Sequence, residues 1–198
     1  MGKLQELWES QTDGRCCKWD HYLDIYERYI NQFIDKPSKY LEIGVQQGGS
    51  LNLIKKYLGD QCETVGIDVD PSCLASGREG HKIFIGNQED PLFLLDVVNQ
   101  AGPFDIIVDD GGHTAGQQIA SFITLWPHLK DGGVYIVEDL HSSFSREYVD
   151  TEITAYQIIN GEKSIPSLSN IMKESSSIEI FRKNHGVDSN SLTSILKK

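Results

Sequence analysis

The sequence predicts an α/β fold: a mostly parallel sheet with an antiparallel C-terminal strand. Three observations predict it. From Lys39 onward apolar strand-like runs alternate with amphipathic ones, and strands alternating with helices build parallel sheets with right-handed crossovers. The run Ile106-Ile107-Val108 is continuously apolar, as a central strand covered on both faces requires. Acidic residues close three of the runs, at Asp68, at Asp109-Asp110 and at Glu138-Asp139, and open α/β sheets bind ligands at the carboxyl ends of their strands.

Taken in order, residues 4–11 predict a short helix ending near Asp13-Gly14. Trp19, Tyr22, Ile25, Tyr26, Tyr29, Ile30 and Phe33 recur at helical spacing, which predicts an amphipathic helix of roughly 14 residues packed on the core. Lys18 and His21 are polar exceptions near its start, placed to overhang a pocket. Pro37 ends the segment. The strands KYLEIGV, TVGIDVD, HKIFIG, FDIIVDD and VYIVED follow, with helices over SLNLIKKYLG, Pro91 to Gln100, and Ala115 to Leu129. Asp131-Gly132-Gly133 reads as a C-terminal helix stop. Beyond Phe144 a helix is expected within 146–160, and Gly161 and Pro166 bracket a loop. A strand near 175–183 pairs with the tail SLTSILKK across His185-Gly186-Val187-Asp188. The expected organisation is one domain: a helical lead-in over 1–38, a ligand-binding core over 39–140 and a variable region over 141–198.

Composition excludes several classes of function. A formal net charge of −11 argues against nucleic acid, which is bound through Lys and Arg. Cys16, Cys17, Cys62 and Cys73 lack CxxC spacing, so free thiols in a reducing cytoplasm are expected. The start MGKLQELWESQ has no apolar core segment, and no 18-residue apolar run occurs, so neither a signal peptide nor a membrane span is expected.

The first strand runs into Glu42-Ile43-Gly44-Val45-Gln46-Gln47-Gly48-Gly49-Ser50. A glycine turn between strand and helix lets a ligand approach the backbone. Gln46 takes the place of the second glycine of a dinucleotide fingerprint, which disfavours a nicotinamide cofactor. Glu-x-Gly with glycines four and five residues later instead resembles the loop of class I S-adenosylmethionine-dependent methyltransferases. Glu42, Gly44, Gly48 and Ser50 are its candidate cofactor contacts. Asp68, roughly 20 residues past the turn, is placed to accept from a ribose diol. Gly86-Asn87-Gln88-Glu89-Asp90 follows the third strand, where adenine contacts would fall, with Gln88 the candidate.

Asp110, Glu138 and Asp139 bring three carboxylates to neighbouring strand ends. Packed together without a cation they would repel, whereas Mg²⁺ or a similar ion takes oxygen ligands and keeps positions open for water or substrate. The alternative is that one or two of them cap helices. Asp109 is assigned to the cofactor side and Asp110 to the metal. His113, behind two glycines, is the candidate general base, since an imidazole titrates near neutrality; His141 is the fallback.

LEIGVQQGGS, GIDVD, the Gly-Asn-Gln-Glu-Asp pentad, IVDDGGH, WPHLKDGG and VYIVEDLH together resemble small class I methyltransferases. The resemblance points to macrolide-sugar O-methyltransferases of mycinamicin and demethylmacrocin type, and to cephalosporin hydroxylase-like proteins. It covers about 15–145, including the lead-in KWDHYLDIYERY. It implies a Rossmann-like methyltransferase fold, S-adenosylmethionine and Mg²⁺ as cofactors, Asp110, Glu138 and Asp139 as metal ligands, and His113 as catalytic base. Asn87 departs from the family's Gly-Asp-Gln, and the last 50 residues match poorly. The expected activity is O-methylation of a hydroxyl on a sugar or glycosylated small metabolite, by a cytoplasmic homo-oligomer. Methylation of catechol-like phenols, or cofactor binding by a scaffold without turnover, are the alternatives.

Overall fold

A computed structural model describes residues 2–11, 16, 18–164, 175–184 and 190–198. Among them, seven strands form one sheet in the order β3-β2-β1-β4-β5-β7-β6. The strands are β1 (Ser38–Ile43), β2 (Cys62–Asp68), β3 (Lys82–Ile85), β4 (Phe104–Asp109), β5 (Leu129–Val137), β6 (Ser177–Asn184) and β7 (Asn190–Lys197). The first five pair in parallel. The antiparallel partner of β5 is β7, which also pairs antiparallel with β6, so the strand expected near 175–183 and the tail pair with each other, and the tail joins the sheet. The chain leaves β1 toward β2 and β3, then returns to lay β4 on the other side of β1. That reversal opens a crevice at the carboxyl ends of β1 and β4.

Helices cover both faces. On one side lie α1 (Lys3–Glu9), α2 (Asp20–Ile30) and α3 (Gly49–Leu58); on the other lie α4 (Pro91–Ala101), α5 (Ala115–Leu125) and α6 (Ala155–Ile159). Strand alternation divides the core between them. Tyr40, Ile106, Val108, Val134 and Ile136 face α1–α3, while Leu41, Ile43, Ile107, Tyr135 and Val137 face α4–α6. The predicted lead-in helix is α2, extended by a 3₁₀ turn over Asn31–Phe33. Both α5 and α6 start with capping boxes, Thr114 with Gln117 and Thr154 with Gln157, which satisfy backbone donors that a helix start leaves free.

Two expectations are corrected. Asp131-Gly132-Gly133 does not stop α5; Pro127 does, within the 3₁₀ turn Trp126–His128. The glycines lie inside β5, where Phe104 pairs with Leu129 but Ile106 pairs with Val134. The extra residues form a bulge, and Gly132 takes its φ of +78°. The helix expected in 146–160 shrinks to α6, whose capping box sets its start late. His81 is buried, held between Thr64 Oγ1 at 2.6 Å and Asn52 Oδ1 at 3.1 Å. The turns placed at Asp13-Gly14 and at 185–188, and Pro166, lie outside the described residues.

The largest core residue is Trp126, fully buried, with Phe122 5.6 Å away and Tyr135 packed edge-on to Phe122 at 5.1 Å. Trp126→Ala should cost about 3–5 kcal/mol of stability, measured as a lowered urea midpoint with an unchanged slope.

Candidate active site

The crevice between β1 and β4 encloses about 370 Å³ and is lined by Gly44, Gln46, Asp68, Gln88, Asp110 and Gly111 among others. That volume suits a cofactor-sized ligand. Asp68 ties its walls together. One carboxylate oxygen accepts the N–H groups of Val45 (2.8 Å) and Gln46 (3.0 Å), and the other accepts that of Asp70 (2.9 Å). Burial works to raise the Asp68 carboxyl, but the N–H groups of Asp70, Gln46 and Val45 outweigh it and hold it below the usual carboxylate range.

Gln88 is the second brace. Its Oε1 accepts the Gly112 N–H at 2.9 Å and its Nε2 donates to Asp109 at 3.1 Å. Asp109 is fully buried behind Gln88 and also accepts from the Ser121 hydroxyl. Burial pushes its carboxyl up to about 6, against the opposing bond from Ser121. Asp109 therefore meets the crevice only through Gln88. Asn87 does line the crevice, and its side chain accepts the Glu89 N–H at 3.0 Å.

The other predicted cofactor contacts stand elsewhere. Glu42 shares a strand face with Tyr40, so it points toward α2 and is fully buried there; Ser50 lies beside it. Gly48 caps α3 with φ +75°, and a Cβ there would come 2.4 Å from the Ser76 hydroxyl. Its missing side chain serves packing rather than the crevice.

Asp110, which lines the crevice, and His113 and Asp139 place one ligand atom each within 4.8 Å of one another. His113 Nε2 lies 3.7 Å from one Asp110 oxygen and 3.5 Å from one Asp139 oxygen. Two carboxylates with open sides suit a divalent cation that keeps water or substrate oxygen among its ligands, with the imidazole beside them. Four described non-glycine residues have positive φ, and three of them, Gln46, His113 and Asp139, border this region. Such conformations persist only where the surroundings hold them, and they gather at functional sites. The Tyr22 hydroxyl, donating to Asp139 at 2.9 Å, is one such restraint.

Glu138, assigned to the metal from sequence, is not in this cluster. It is buried on the α2 side, where Lys18 Nζ donates to it at 2.7 Å and the Tyr26 hydroxyl donates to the same oxygen. Burial and the Asp110 charge raise its carboxyl above the usual range. Strand parity accounts for the difference, because Glu138 continues the face of Val134 and Ile136. Lys18, which the sequence marks only as a polar exception, reaches Glu138, Asp110 and Glu42 together. Tyr22 and Tyr26 carry no sequence signal beyond the apolar stripe of α2.

A second cavity of about 470 Å³ opens beyond Asp139, lined by His141, Phe144, Tyr156, Arg182 and Leu192 among others. His141 Nδ1 lies 3.8 Å from Asp139. Phe144 is 69% exposed, and its ring meets that of Tyr156 edge-on at 4.8 Å. Asp110 thus borders the crevice, and Asp139 the neighbourhood of this cavity, with His113 between the two carboxylates. Among the described residues no helix is long and apolar enough to cross a membrane.

The arrangement agrees with what the chain is similar to. A family model described as a methyltransferase domain matches residues 41–140. A tetracenomycin rhamnosyl 3'-O-methyltransferase of Streptomyces olivaceus is 34% identical, over 74% of this chain and 39% of its own length. A mycinamicin VI 2''-O-methyltransferase of Micromonospora griseorubida is 32% identical, over 60% of this chain and 31% of its own. Among solved structures, the MycE methyltransferase of the mycinamycin pathway, in complex with Mg, SAH and mycinamycin VI, superimposes with a TM-score of 0.76. It is 22% identical, over 100% of this chain and 53% of that one. The chain spans about a third to a half of the length of these relatives. With half of its residues matched by that model and the parallel sheet described above, the chain belongs to the methyltransferase domain family.

Proposed function

We propose that this chain is the catalytic domain of an S-adenosylmethionine- and Mg²⁺-dependent O-methyltransferase that acts on a hydroxyl of a sugar or glycosylated small metabolite. The observation that carries the reading is Asp110, which borders the cofactor-sized crevice with one face and belongs to the cation cluster with its carboxylate. Curated relatives that methylate sugar hydroxyls support the acceptor class, and the Mg and SAH of the MycE complex support the cofactors.

Asp110 and Asp139 would hold the ion; when bound, it would draw neighbouring substrate oxygens and lower the pKa of the reacting hydroxyl. Asp68 stands at the crevice to receive a ribose diol, and Gln88 holds the Gly111-Gly112 turn against the cofactor. His113 takes the hydroxyl proton as general base, with the Asp110 and Asp139 carboxylates accompanying the charge it gains. The cavity beyond His141 receives the rest of the acceptor, whose apolar face packs on Phe144. Holding both reactants in adjoining clefts supplies much of the acceleration.

The test is methyl transfer from S-adenosylmethionine to rhamnosylated acceptors, with and without EDTA. Activity should vanish in EDTA and return with Mg²⁺; full transfer in excess EDTA would sink the reading. The exposed Phe144 and its partner Tyr156 favour one second reading, a catechol-like planar acceptor, which a higher kcat/KM for catechols than for glycosides would establish.

A further inference from the structure

Beneath the cluster of Asp110, His113 and Asp139, three carboxylate oxygens converge on a second point. Lys18 Nζ occupies it, 2.7 Å from Asp110 Oδ2, 2.7 Å from Glu138 Oε1 and 3.3 Å from Glu42 Oε1. The lysine side chain is 2% exposed, with that of Glu42 at 0% and that of Glu138 at 3%. We propose that Lys18 is a positioning residue whose ammonium fills an inner cation position and so confines a divalent ion to the outer cluster. The proposal rests on the cation-dependent reading given above.

Carboxylates from the ends of three adjacent strands surround one point here, an arrangement of oxygens that would serve a hard cation. Left unpaired in the interior, charges of one sign are strongly destabilising. The Tyr26 ring lies 5.7 Å from Nζ. Asp110 is divided between the two positions: Oδ2 turns inward to Lys18, and Oδ1 turns outward to His113. Lys18 thereby fixes the orientation of the Asp110 carboxylate, leaving one oxygen for the outer cluster, and it engages Glu138, which strand parity turns to the inner side. A fixed positive charge also repels a second ion. The lysine precedes α2, so the same contact anchors the lead-in helix over the site.

The test is Mn²⁺ titration of the wild type, Asp139→Asn, Lys18→Met and the double variant, followed by electron paramagnetic resonance. The wild type should bind one ion, at least about tenfold more weakly after Asp139→Asn, since a carboxylate ligand is lost. Lys18→Met should take an ion at the inner position, so that tight binding survives Asp139→Asn, while methyl transfer falls. A lysine that merely packs would not move ion stoichiometry. A folded Lys18→Met protein with wild-type stoichiometry, whose binding is weakened by Asp139→Asn as in the wild type, overturns the proposal. If Lys18→Met fails to fold alone, Mn²⁺ should restore its fold, and failure to do so also overturns the proposal. Lys18→Met/Glu138→Gln, which loses charge on both sides, should fold and take no inner ion; inner binding there would count against it. A wild type that binds no Mn²⁺ would refute the cation-dependent reading, and the gain in Lys18→Met would still decide the inner position.

Discussion

Asp110→Ala is expected to abolish Mn²⁺ binding at the outer cluster and to lower kcat by about a thousandfold or more. That is what losing several kcal/mol of metal-assisted stabilisation of the transition state amounts to. The residue has three neighbours that matter: the crevice, His113 and Lys18. Its carboxylate is 23% exposed, so its loss leaves a cleft that water can fill rather than a sealed cavity. Lys18 keeps Glu138 and Glu42 as counter-charges, so the fold should survive and the loss should read as function. Calorimetric titration with S-adenosylhomocysteine separates the effects. Affinity for the nucleoside should fall only modestly, because Asp68 and Gln88 remain, while Mn²⁺ binding and turnover collapse. His113→Gln should show the complementary pattern, a collapsed kcat with the ion retained. If His113→Gln instead lost the ion, the imidazole would be a ligand rather than the base.

Much of this is legible in the sequence. Alternating strands and helices predict the parallel sheet, and the acids at strand ends predict where its crevice lies. What pattern alone could not decide was the face each acid takes. Glu42 reads as a cofactor contact because it precedes the glycine turn, yet the pleat that buries Tyr40 carries Glu42 to the same side. Glu138 and Asp139 are adjacent and look interchangeable, but one continues the strand inward while the other turns out through a left-handed backbone conformation. The same conformation at His113 sets the position of the imidazole beside Asp110 and Asp139. Lys18 stands out in the sequence only as a charge at the edge of an apolar stripe. Its three partners are 24, 92 and 120 positions away, and only the closed sheet brings them together.

Gly44 shows how closely the fold and the site depend on one another. Its φ is +92°, and a Cβ there would stand 2.0 Å from the Asp110 carbonyl oxygen. The sequence suggests that the glycine admits a ligand; its more immediate neighbour is the turn after β4. Gly44→Ala carries two costs. A left-handed conformation at an L-residue costs about 1–2 kcal/mol, and the collision is with backbone, which cannot rotate aside. Gly132 isolates the first cost, since its φ is +78° and nothing lies within 4 Å of its would-be Cβ. Gly132→Ala should therefore lose about 1–2 kcal/mol in urea melts and leave nucleoside binding intact. Gly44→Ala should lose at least about 1–2 kcal/mol more, a shift expected of overpacking. Relief comes only by moving the Asp110-Gly111-Gly112 turn away from β1, which widens the crevice and displaces one carboxylate of the cation cluster. Nucleoside affinity and ion affinity should fall together in Gly44→Ala, at temperatures where the protein is still folded. Equal stability losses in the two variants, with binding unchanged in both, would mean that the turn after β4 yields freely and does not set the geometry of the site.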